Sequence, residues 1–159
     1  MSEEFLNDKG EQALDCDYFI GKIDSDDLLL TVVKSHLLVE QRLHDLADGI
    51  FASPKYLEWE VSKLGFGQLT WVVRAALSGH SNEAGWKLIS KLNNVRNQYA
   101  HKLEPPDLEK HLRNLFDADK KFNSGVDSVG TDVERVRLAA KHCYEFVLML
   151  DFQFTSSKP

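Results

Sequence analysis

The amino-acid sequence predicts an all-α fold, an up-and-down helical bundle of about five to six helices. Three observations carry that expectation. Apolar residues recur three and four positions apart over most of the chain, the repeat of a buried helical stripe. No stretch of useful length shows the apolar–polar alternation of a half-buried strand. Prolines fall between the periodic segments, with Pro54 at the start of one and Pro105-Pro106 after the end of another. At 159 residues, 43% of them apolar and 28% charged, the chain has the size and composition of one soluble domain with its own core.

Residues 1–24 are acidic and weakly periodic. They predict a flexible arm with a docked piece around Tyr18-Phe19-Ile20, ahead of a helical domain over 25–159. Asp26 is a suitable N-cap for a first helix over 26–48, with Gly49 as its stop signal. Its stripe is Leu29, Val32, Val33, Leu37, Val39, Leu43, Leu46 and Ala47. Ser53-Pro54 opens a short second helix carrying Tyr56, Leu57, Trp59, Val61 and Leu64, and Gly65-Phe66-Gly67 breaks it. A third helix carries Leu69, Val72, Val73, Ala76 and Leu77 on one side, and the segment 78–81 is a loop. A fourth is expected over 82–103, a fifth over 106–122 and a sixth over 131–154, the last with Val133, Val136, Ala140, Cys143, Val147 and Leu150 as its stripe.

Charge is unevenly placed. Of the 25 acidic residues, nine lie in 1–27 beside two basic ones, so the remaining 132 residues carry 16 acids and 17 bases. The net negative charge therefore belongs to residues 1–27, and a nucleic-acid partner for the body is not excluded. Between Lys87 and Lys121 there are eight bases and five acids. No apolar run approaches the roughly 18 residues that would suggest a membrane span. MSEEFLNDKG has no apolar core of a secretory signal, and Cys16 and Cys143 form no metal-ligand spacing, so a reduced, cytoplasmic protein is expected. No metal site or cofactor is predicted, because His36 and His44 lack a surrounding ligand set and no phosphate-binding glycine loop is present.

The fourth helix departs from a plain amphipathic pattern. Leu88, Leu92, Val95, Tyr99 and Leu103 share one side, and Arg96 falls about 60° from its centre. Asn93, Asn97 and His101 form an adjoining strip. On the first helix, His36 and Glu40 lie inside the apolar arc. A carboxylate and a guanidinium near apolar surface are costly unless paired, so Glu40 is expected to meet Arg96. Taken singly, such residues also serve as structural pairs and helix-end caps.

Arg96-Asn97-Gln98-Tyr99-Ala100-His101 resembles the Arg-Asn-x-x-x-His signature of HEPN domains. The long first helix with its inward Glu40, the Gly-Phe-Gly break and the proline-terminated motif helix extend the resemblance. The stretch 28–115 is also similar to the mannitol operon repressor family, which carries a similar Arg-Asn-x-x-Ala-His segment. The arm and the sixth helix lie outside both resemblances. They imply a small, usually dimeric bundle that is either a metal-independent endoribonuclease, as in toxin–antitoxin and phage-defence systems, or a non-catalytic regulator acting through protein–protein contacts. A cognate antitoxin or regulatory protein would be its partner, and RNA its substrate.

The implied roles suit the chemistry. His101 would be the acid/base, since imidazole titrates near neutrality. Arg96 would clamp the phosphate with its planar fork. Asn97 would position His101 or the phosphate, with Glu40 and Asn93 in support. Arg96 and His101 are five positions apart, about 140° around a helix, so one straight helix does not aim both at one phosphate. The family's composite site across a homodimer would resolve this. Leu103 stands where one toxin branch has a Tyr that is AMPylated by its antitoxin, so that form of control is not expected here.

Overall fold

The computed structural model describes residues 18–19, 21–77 and 82–156, and every regular element in it is helical. Its main helices are α1 (Leu28–Ile50), α2 (Trp59–Ser62), α3 (Phe66–Ala76), α4 (Glu83–Tyr99), α5 (Leu108–Phe122) and α6 (Asp132–Ser156). A 3-10 turn, Pro54–Leu57, precedes α2. The all-α bundle expected from the sequence is the fold observed.

Most of the arm lies outside the described residues. Its end is anchored: Phe19 and Ile23 are fully buried, and the Phe19 ring packs 4.7 Å from that of Tyr144. Ile20 lies outside the described residues. Asp27, one residue later than expected, caps α1 by accepting from the Leu30 amide at 2.7 Å. α1 then runs through Gly49 to Ile50, because the helix interior tolerates a glycine where packing holds the turn. Leu37, assigned to the buried stripe, is exposed; Ser35 and His36 take the inward positions beside Val32 and Val39.

α1 packs most extensively against α6, and α4 against α5. The helix expected after Pro54 divides in two at Glu58, whose backbone is extended, and Tyr56 and Val61 stay exposed. Only Gly65 of the Gly-Phe-Gly segment breaks the chain. Phe66 and Gly67 form the first turn of α3, and the Gly65 amide donates to Gln68 Oε1 at 2.9 Å. Phe66 can then turn inward onto α1. α6 opens with a reciprocal cap. Glu134 Oε2 accepts from the Thr131 amide, and Thr131 Oγ1 accepts from that of Glu134. The bonds donated to Oε2 by the Thr131 amide and hydroxyl hold the Glu134 carboxyl below its usual range.

Two charged contacts fasten α6 to its neighbours. Arg42 donates to Asp151 at 2.6 Å, and His142 Nδ1 lies 2.6 Å from buried Asp119 of α5. Cys143 lies in the core as expected, where burial, reinforced by the Asp119 carboxylate, pushes its thiol pKa well up. Cys16 lies outside the described residues.

Gly85 is packed directly against an aromatic ring. A Cβ there would lie 2.6 Å from Phe146 ring atoms, and that ring is wedged against Trp86 and Phe122. Replacing a helical glycine by alanine ordinarily stabilises by about 1 kcal/mol. Here overpacking of a ring that has no room to move reverses the sign. Gly85→Ala is expected to lower unfolding stability by about 1–2 kcal/mol net, measured by urea denaturation. A gain in stability would show that Phe146 moves aside freely.

Candidate functional site

Three elements meet at one end of the groove between α1 and α4. α1 supplies His36, Glu40 and His44, four residues apart and so on one face of the helix. The Gly65–Gln68 segment supplies Phe66, and α4 supplies Asn93, Arg96 and Asn97. Together they line a cavity of about 550 Å³.

His36 holds the floor. It is 3% exposed, and its ring packs 4.2 Å from that of Phe66. Its Nε2 lies 3.0 Å from Asn93 Oδ1. Burial lowers its pKa from 6.5 to about 4; the hydrogen bond to Asn93 opposes the shift and the nearby charge of Arg96 adds to it. The imidazole is therefore neutral near pH 7. With the oxygen of Asn93 facing it, Nε2 carries the proton and donates. His36 thus acts as a spacer that fixes Asn93, and the amide nitrogen of Asn93 is left on the side of Gly67.

Arg96 is exposed, and its Nη1 donates to Asn97 Oδ1 at 3.2 Å. No carboxylate pairs with it among the described residues. Glu40 lines the same cavity, but the expected ion pair with Arg96 is not formed. The Glu40 side chain is 30% exposed and its carboxylate approaches His36 Nδ1 at 3.9 Å. Both charged groups keep enough water to stand unpaired, so the desolvation that the expected pairing was meant to offset is small.

His101 is placed apart from the cavity. α4 ends at Tyr99, four residues earlier than expected, and the Ala100 amide closes the last turn on Asn97 O at 3.2 Å. Pro105 and Pro106 have no amide to return to the carbonyls of His101 and Lys102. Burial does not hold an extra turn either, for residues 100–104 are all exposed and Leu103, assigned to the apolar side, is 79% exposed. His101 thus lies beyond the end of α4 and is not among the residues that line the cavity.

His44 is the cavity residue that the sequence reading left unused. Its signal was present: it continues the 36–40 spacing by one further step of four. Among the described residues, no group of three or more His, Cys, Asp or Glu side chains is arranged to hold a metal ion. No described helix is long and apolar enough to cross a membrane. A guanidinium, three amides, a carboxylate and two imidazoles, one of them buried, in one hollow are able to bind an anion and exchange protons with it.

Comparison with family models, with curated proteins and with solved structures gives no match to this chain.

Two outcomes follow. Above pH 6.5 His36 is neutral whether the chain is folded or not. Below it, the unfolded chain takes up a proton that the folded chain refuses until about pH 4. Stability is thus expected to fall with decreasing pH across that window, by up to about 1.4 kcal/mol per unit, and His36→Gln should remove most of that slope. Urea unfolding of both proteins from pH 7.5 to 4.5 checks it, since the difference isolates this group. For Glu40→Gln and Arg96→Gln, the double mutant should be additive within about 0.5 kcal/mol. A larger coupling would reveal a direct pair in solution.

Proposed function

We propose that the chain is a metal-independent endoribonuclease of HEPN type, with a composite active site at a homodimer interface. The observation that carries this reading is the sharing of one cavity by Arg96, Asn97, Asn93 and Glu40, with no carboxylate paired to the guanidinium among the described residues. A free, exposed guanidinium beside two amides suits a phosphate.

In the reaction, the ribose 2′-oxygen attacks the adjacent phosphorus as its proton is removed. The bond to the 5′-oxygen breaks, and that oxygen takes up a proton. Arg96 stabilises the charge that builds on the phosphorane oxygens, and Asn97 orients the guanidinium. Glu40 takes the 2′-proton, and His101 of the partner subunit protonates the leaving oxygen. That His101 is not among the residues lining the cavity of its own chain supports a site completed by a second copy. In a cell, such an activity fits a toxin or phage-defence component in the cytoplasm, restrained by a cognate antitoxin.

One observation favours a single-chain version of the same chemistry: His44 lines the cavity with Glu40 and Arg96. Another favours a non-catalytic regulator, similar to the mannitol operon repressors. Leu37, Tyr56 and Val61 are large apolar side chains left exposed, as at a protein-contact surface.

Purified protein is expected to cleave RNA in the presence of a chelator. Arg96→Ala should lower the rate on the order of 10²–10³-fold while the fold is kept. For a composite site, His101→Ala should do the same and His44→Ala should not. Mixing Arg96→Ala and His101→Ala subunits should then restore about a quarter of wild-type activity, because half of the dimers regain one intact site. Loss of activity in His44→Ala, with His101→Ala active, would move the acid/base into one chain. Intact RNA with dimeric wild type would leave the regulator as the better reading.

A further inference from the structure

A second hollow lies beside the candidate site, between α3 and α4. It holds about 320 Å³ and is lined by Trp71, Arg74, Trp86, Lys87, Ser90 and Lys91, among others. Phe66, Gly67 and Asn93 line both hollows, so the two share a wall. Nothing in the chemistry assigned to Arg96 uses it.

Its side chains have an unusual balance. The Trp71 ring is 67% exposed, although an indole is among the most favourable groups to bury. Arg74 lies 5.2 Å from the centre of that ring and is itself neutralised by Glu83. It steadies the indole and adds little net charge. Lys87 and Lys91 are different. They stand four residues apart on one face of α4, where like charges repel, and neither has an ion-pair partner among the described residues. Trp86 forms part of the lining, and its indole N–H is buried without an acceptor. An open aromatic face, two unpaired ammonium groups and hydroxyls from Thr70 and Ser90 therefore surround one small hollow.

We propose that this hollow is a subsite for an unpaired nucleotide of the RNA strand, next to the phosphate held at Arg96. The base stacks on Trp71, and backbone phosphates lie on Lys87 and Lys91. Exposed aromatic faces interleaved with cations are the chemistry by which single strands are held, since every base has a π-face and every linkage a negative charge. An acidic peptide would satisfy the lysines but leaves the indole uncovered. A duplex has its bases already stacked on one another. The assignment rests on the ribonuclease reading for its choice of RNA, and on the wall shared through Asn93 for its place beside the reacting phosphate.

The test uses the full chain and a fluorescein-labelled oligouridine with 2′-O-methyl groups, which has no free 2′-hydroxyl and is not cleaved. Binding is followed by anisotropy, and cleavage of unmodified RNA is measured separately. Trp71→Ala should weaken binding on the order of 10-fold, and Trp71→Phe should retain most of it. Replacing Lys87 and Lys91 together by Gln should reduce the slope of log affinity against log salt by about 1.4. All three side chains point outward enough for the variants to fold, which circular dichroism verifies.

If these variants bind like wild type while wild type cleaves RNA, the subsite is overturned and the ribonuclease stands. If wild type cleaves nothing but loses the strand on Trp71→Ala, the ribonuclease falls and the strand-binding subsite stands. Equal affinity for AMP and for the oligomer overturns the strand in favour of a free-nucleotide pocket. Absence of any binding overturns it outright.

Discussion

A buried, neutral imidazole joins the parts on which the candidate site depends. The hydrogen bond from His36 to Asn93 ties α1 to α4 across 57 positions of sequence, and the Phe66 ring closes over it from the start of α3. A charged imidazole there would need solvation that the packing does not supply, so the uncharged form is the one that fits. The bond between His36 Nε2 and Asn93 Oδ1 holds the Asn93 side chain, which forms part of the wall shared by the two hollows.

Around that joint the protein separates what must be rigid from what must remain available. Asn93 and His36 are immobilised by packing and hydrogen bonding. Arg96, Glu40, Lys87 and Lys91 lie further out, where water keeps their charges inexpensive without partners. The arginines that serve structure are treated differently. Arg42 is bound to Asp151, Arg74 to Glu83, and Arg135 lies 3.8 Å from the centre of the Phe116 ring. Arg96 thus differs from these arginines in having no carboxylate or ring partner among the described residues.

Much of the fold was legible from the chain because it depends on local rules. The 3.6-residue stripe and an Asp cap at the start of α1, shifted by one residue, act within a few residues, and the six expected helical segments all appear. The errors came where local signals were outvoted by packing or by its absence. Gly49 did not stop α1, the helix after Pro54 split at Glu58, and α4 closed at Tyr99 because nothing buried the next turn.

The sequence by itself determined the all-α class, the order of the helices and the presence of an Arg-Asn strip on α4 and a His-Glu strip on α1, since each strip follows from spacing along its own helix. Only the tertiary structure decided which of those polar residues meet. It left Glu40 and Arg96 unpaired in one cavity, brought His44 in and left His101 out. It also set Trp71, Lys87 and Lys91 around a common hollow. The reason is that spacing fixes direction about a helix axis, whereas contact between side chains depends on how two axes cross and where each helix ends.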